Sequence, residues 1–183
     1  MGRALSLPAS DLLPMAAFAL VMAITPGPNN IMMLNSGLQF GVRRSLPHLF
    51  GIVLGFAALI AIAFAGVAAL VLLNPAVMTA LTLCGGVYMP WLAWRLLRVQ
   101  AAPAAAAVTA GQATLRPMTF WGACLFQLVN AKGWAAAVAA VGITARWPVP
   151  QGQALAWVLA TTLVVNLPSL LLWNSGGALL RRL

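Results

Sequence analysis

Residues 24–34 read ITPGPNNIMML. Apolar sequence flanks this stretch on both sides, yet it holds two prolines, a glycine and two asparagines. Pro26 and Pro28 each lack a backbone N–H, and Gly27 between them supplies a hinge. In hydrocarbon every unsatisfied backbone group is costly, so irregular backbone is tolerated only where protein buries it or where it lines a wet cavity. One reading is a plain proline kink in a packed helix. The denser reading is a break over residues 25–29 that splits a span into two half-helices. Asn29 and Asn30 then start the second half, where asparagine caps well and free N–H groups carry partial positive charge. Such an end can hold an anion, and discontinuous helices of this kind build transporter sites.

The surrounding composition supports a lipid solvent. The chain has 183 residues, 63% of them hydrophobic and 6% charged, with a mean hydropathy of +0.98. Soluble domains carry about 25% charged residues. The apolar runs are continuous, without the period-2 alternation of a membrane β-barrel. We therefore expect an all-α integral membrane protein. The net charge of +9 comes from basic residues scattered between apolar runs, with no basic run interleaved with aromatics. It reads as a topology signal and not as a nucleic-acid surface. One His, one acidic residue and two cysteines that fall in separate apolar runs (Cys84 and Cys124) suggest no metal site, no disulfide and no cofactor.

Five spans of about 20 apolar residues are expected, at 12–34, 46–72, 76–97, 118–143 and 153–175. The N-terminal apolar run lacks a small-x-small cleavage site and reads as a retained helix. Arg43, Arg44, Arg95, Arg98, Arg116, Arg181 and Arg182 fall on one side of this arrangement, and only Arg3 and Arg146 on the other. The positive-inside rule then puts the N-terminus outside and the C-terminus in the cytoplasm. Residues 99–117, rich in Ala and Pro, read as a cytoplasmic linker between two halves, 1–98 and 118–183. Trp91, Trp94, Trp121, Trp147 and Trp157 lie near span ends, as interfacial anchors do.

Two further stretches carry polar residues inside spans. In QLVNAKGW, residues 127–134, Lys132 lies roughly fifteen residues into the fourth span, close to mid-bilayer. A central lysine costs about 2.5–3.5 kcal/mol on insertion scales. Snorkelling is the alternative, but the depth favours a polar cavity. Asn130 and Gly133 beside it point to another helix interruption. In VVNLPSLLLW, residues 164–173, Asn166 and Pro168 pair an amide with a helix breaker, and Ser169 could re-satisfy a freed carbonyl. A functional break and a packing kink with an interhelical hydrogen bond both remain open there. Spans one and four each open a half of the chain and enter from opposite sides. That is the pattern of an inverted repeat with a midplane site. The first half, however, has three spans and the second two.

The runs ITPGPNNIMMLNSGLQFGVRRSLPHLFGIVLGF, CGGVYMPWLAWRLLR, LFQLVNAKGW and NLPSLLLWNSGGALLRRL resemble, in order and spacing, the LysE/RhtB family of amino-acid exporters. The resemblance implies a bacterial inner-membrane exporter of amino acids or related metabolites, driven by the proton gradient. It places Pro26, Gly27, Pro28 and Asn29 in the family's first-helix break, and Asn130 and Lys132 in its Asn-Pro-Lys motif. Ala131 stands where that motif has proline, which implies a weaker break, and Pro90 stands where the family has leucine. The family has six spans, so the five expected here leave its sixth helix missing, through truncation or because a partner protomer supplies it in a homo-oligomer.

The polar residues suggest a mechanism. Lys132 and the half-helix end at Asn29 and Asn30 would hold an amino-acid carboxylate. The carbonyls of Asn130 and Asn166 would accept from its ammonium. No carboxylate lies within a span, so neutral or apolar amino acids are expected over lysine and arginine. Asp11, His48 and Lys132 are the candidates for proton coupling. The alternatives are a non-transporting membrane subunit or remnant and, more remotely, an intramembrane enzyme with a Ser169–Lys132 dyad.

Overall fold

The computed structural model describes residues 7–67, 74–76, 79, 80, 83, 87 and 117–181. The expected span 76–97 and linker 99–117 lie almost wholly outside the described residues, as do Cys84, Pro90, Trp91 and Trp94.

Helix α1 (Ala9–Ile24) follows Pro8 and carries Asp11 in its first turn, where the helix dipole favours a carboxylate. It ends at Thr25, whose N–H still reaches Val21 O at 3.0 Å. Pro26 has no N–H to continue the ladder, and Gly27 is fully extended (φ −159°, ψ 179°). Pro28 then opens α2 (Pro28–Ile62) at the position where a missing N–H is harmless and φ is preset. The cap of α2 is therefore Gly27, not an asparagine. Asn29 and Asn30 sit within the first turn and send their side chains elsewhere. A π-helical turn, Ala63–Val67, closes α2.

Inside α2, Gly41 has φ +75° and ψ 172°, in the left-handed region that favours glycine. The helix folds back there. Ser36 Oγ donates to Ser45 Oγ at 2.9 Å, and Ser45 Oγ to Gly41 O at 2.8 Å. A straight helix would hold residues nine apart about 13 Å from each other. The connection expected between spans one and two thus shrinks to a one-residue hinge, with Arg43 and Arg44 exposed just beyond it.

Thr119 Oγ1 accepts from Gly122 N at 3.1 Å and caps α3 (Phe120–Phe126). A 3-10 turn, Gln127–Val129, leads to α4 (Ala131–Thr144), bent 69° from the segment before it. After Pro150, α5 (Gln151–Leu180) runs 30 residues. Its backbone stays helical through Pro168, so the break considered there is absent. The described residues are mostly helical and include no strand. Pro28–Gly66 and Gln151–Leu180 are long and apolar enough to cross a membrane, and the bent pair α3–α4 forms a third candidate.

Helix α2 packs against α5 and α3, while α1 lies on α5 and α4. Lipid tails are as apolar as leucine, so packing between spans depends on close backbone approach. Glycine provides it here. A Cβ on Gly37 would fall 1.9 Å from Asn174 O, and one on Gly177 would fall 1.8 Å from Leu34 O. Cys124, on the face of α3 packed against α2, donates from Sγ to Gly51 O at 3.2 Å, in keeping with a packing thiol. Large apolar side chains point outward: Leu13, Val164 and Leu172 are more than 70% exposed, as lipid-facing positions are.

Candidate functional site

The two helix breaks face each other. Ending α1 at Ile24 leaves the last carbonyls of that helix without intrahelical partners. Side chains from three elements supply them. Asn30 Nδ2 donates to Ala23 O at 2.8 Å and to Thr25 O at 3.0 Å, folding the first turn of α2 back over the end of α1. Ser169 Oγ, from α5, also donates to Ala23 O at 2.8 Å. Lys132 Nζ, from α4, donates to Thr25 O. Ser169 was expected to serve a carbonyl freed by Pro168; it serves one freed by the first break instead.

The second break is satisfied in the same way. Asn130 leaves helical geometry (φ −82°, ψ 95°) and caps α4, its Oδ1 accepting from Gly133 N at 3.2 Å. Trp134 Nε1 donates to Leu128 O at 2.9 Å. An asparagine cap after a 3-10 turn thus bends the chain by 69° with Ala131 in place of proline. The break therefore forms without the motif's proline.

Amides join the two breaks. Asn29 Nδ2 donates to Gln127 Oε1 at 3.0 Å, and Gln127 Nε2 donates back to Asn29 Oδ1 at 3.1 Å. Asn130 Nδ2 donates to the same Gln127 Oε1 at 3.1 Å. Gln127 is fully buried. The sequence around Gln127 assigns it no role. The available signal was an amide in an apolar span, which must find a partner there.

Beside this junction lies a cavity of about 60 Å³. One water needs about 10–15 Å³, so several fit. Gly27, Pro28, Asn29, Asn30, Asn130 and Lys132 form the polar side of its lining. Met15, Phe18, Met22, Phe56 and Ile60 form the apolar side, and Thr162 and Asn166 of α5 complete it. Of the residues expected at a site, Pro26 and Pro168 do not line this cavity, and neither do Asp11 and His48. His48 is buried within α2, with neither ring nitrogen hydrogen-bonded. Ser169 and Lys132 are tied to different carbonyls and do not form a dyad.

The sequence comparison bears on what a cavity between two broken helices is for. A family model, LysE type translocator, matches residues 20–182 and so takes in both breaks. The chain belongs to the LysE family. It is 31% identical over 172 residues to the cysteine/O-acetylserine efflux protein of Escherichia coli strain K12, covering 91% of this chain and 82% of that protein. Proteins of the same name from Shigella flexneri and Shigella sonnei match to the same extent. No solved structure matches. As a LysE-family translocator the chain is an efflux transporter in a membrane, not an enzyme.

In this LysE-family chain Gly27, in the first break, lies against the Lys132 side chain of the second. A Cβ there would lie 2.6 Å from Lys132 Cδ and 2.9 Å from Nζ. The extended backbone of Gly27 suits any residue, and the lysine tip can move. Gly27→Ala is therefore expected to fold while pushing Lys132 off Thr25 O. Its KM for transported substrate should rise at least several-fold, read in reconstituted vesicles against the unchanged melting temperature of the purified protein.

Proposed function

We propose that the chain exports small neutral amino acids across a bacterial inner membrane, binding them in the cavity between the two breaks. One observation carries this reading. Lys132 Nζ reaches a cavity bordered by the N-terminal ends of α2 and α4, and its hydrogen-bond partner is an uncharged carbonyl. Two positive helix ends and an ammonium without a counter-carboxylate suit an anionic group. A substrate carboxylate supplies it.

The opposite charge is accommodated by acceptors. The Oδ1 of Asn30, Asn166 and Asn130 and the Thr162 hydroxyl are the acceptors at hand for an ammonium. The described cavity lining contains no carboxylate for a second cation. Its apolar side, Met15, Phe18, Met22, Phe56 and Ile60, suits a small uncharged side chain. Cysteine and O-acetylserine, named for the efflux relatives, fit this description.

The wider reading comprises five spans in an inverted repeat, the N-terminus outside, the C-terminus in the cytoplasm, and proton coupling. Lys132 is the coupling group we favour, because it alone among Asp11, His48 and Lys132 lines the cavity. Reconstituted vesicles loaded with labelled cysteine, leucine or arginine test the selectivity. We expect the neutral amino acids to move at least tenfold faster than arginine, and faster still with an imposed proton gradient. A preference for arginine, or flux no greater than in empty liposomes, contradicts the proposal.

A further inference from the structure

The amide of Gln127 uses its whole hydrogen-bonding capacity. Nε2 donates to Ala123 O at 3.1 Å and to Asn29 Oδ1 at 3.1 Å. Oε1 accepts from Asn29 Nδ2 at 3.0 Å and from Asn130 Nδ2 at 3.1 Å. An amide has two N–H donors and an oxygen with two lone pairs, so no capacity is left over. The side chain is wholly buried.

This saturation has a direction. Ala123 O can only accept, so Nε2 must face it and the Gln127 amide cannot flip. Asn29 is then forced to present Oδ1 to Nε2 and Nδ2 to Oε1. Asn130, giving Nδ2 to Oε1, is forced to turn Oδ1 toward Gly133 N, the bond that caps α4. One glutamine thus orients an ordered chain from the first turn of α2 to the first turn of α4. Lys132 lies within that first turn, between Asn130 and Gly133. Satisfied buried networks of this kind specify one geometry.

We propose that Gln127 is a positioning residue for transport. It holds the two half-helix ends and Lys132 in the relative placement that binds substrate. This rests on the cavity being the substrate site, as proposed above. A mere structural role would be to keep buried amides paired. The two roles separate experimentally, because replacing both partners of a buried pair by apolar groups can be nearly neutral for stability.

The test compares three variants of the full chain in reconstituted vesicles, using labelled cysteine as the probe. Gln127→Leu is expected to raise KM at least tenfold. The exchange Asn29→Gln with Gln127→Asn keeps a reciprocal amide pair of the same total length and is expected to recover most of the loss. The apolar double variant Asn29→Leu with Gln127→Leu removes the reciprocal pair but still takes Gln127 Oε1 from Asn130 Nδ2, so it is expected to regain part of the lost melting temperature but not wild-type KM. It also provides the reading if Gln127→Leu alone does not fold. The positioning role is overturned if Gln127→Leu keeps the wild-type KM, or if the apolar double variant restores it. Absence of cysteine flux in the wild-type chain would instead overturn the substrate proposal.

Discussion

Lys132→Met is expected to abolish transport, with flux at least a hundredfold below wild type, while leaving the protein folded. The change removes the ammonium and keeps a long unbranched side chain. It relieves a charge that costs about 2.5–3.5 kcal/mol to place mid-membrane, so insertion is not impaired. Thr25 O loses one donor but retains Asn30 Nδ2 at 3.0 Å, so no backbone carbonyl is orphaned. The loss of flux should therefore occur at wild-type abundance and melting temperature. Flux measured in vesicles of matched protein content checks this, and near-wild-type flux would remove Lys132 from the mechanism. Lys132→Arg keeps the charge but not its compact shape, and an intermediate flux is expected.

Gly177→Val should fail in the opposite way, by loss of the folded protein. A Cβ at 177 would lie 1.8 Å from Leu34 O, 2.8 Å from Leu34 C and 2.9 Å from Leu38 N. These are backbone atoms of α2 and cannot rotate aside. Overpacking ordinarily costs about 1–3 kcal/mol, and a clash between two backbones belongs at the upper end or beyond. Nearby, Asn174 Nδ2 donates to Met33 O at 3.0 Å, and separating the helices would break that bond too. The expected result is at least a tenfold fall in monodisperse protein extracted in mild detergent. Gly176→Ala is the control, since among the described residues a Cβ there meets only Leu34 Cδ1, at 3.9 Å.

The sequence makes the breaks legible and leaves their connection hidden. Two prolines around a glycine in an apolar run leave backbone groups that lipid cannot satisfy, so an interruption is readable from local chemistry; it is expected over residues 25–29 and occupies 25–27, because Pro28 already opens α2. A lysine beside Asn130 and Gly133 marks the second break for the same reason, even without the motif's proline. Which partners satisfy the freed groups is a matter of tertiary geometry. Asn30 suggested a cap, but Gly27 takes that place and Asn30 reaches back to Ala23 O. Pro168 suggested a third break, but α5 stays helical through it. The fold-back at Gly41 depends on one positive φ that glycine permits without announcing it. Gln127 and Thr162 are polar residues in apolar segments, visible as oddities, and only the packing of the 3-10 turn against α2 and of α5 beside the cavity shows that one bridges the breaks and the other lines the cavity.

The central claim is that the cavity holds an amino acid by its carboxylate at Lys132. Competition in vesicles tests it most directly: labelled cysteine flux measured against an excess of unlabelled O-acetylserine, or of O-acetylserine methyl ester, which keeps the ammonium and side chain but carries no carboxylate. The account predicts strong inhibition by the amino acid and at least tenfold weaker inhibition by the ester. Equal inhibition by the two would contradict it.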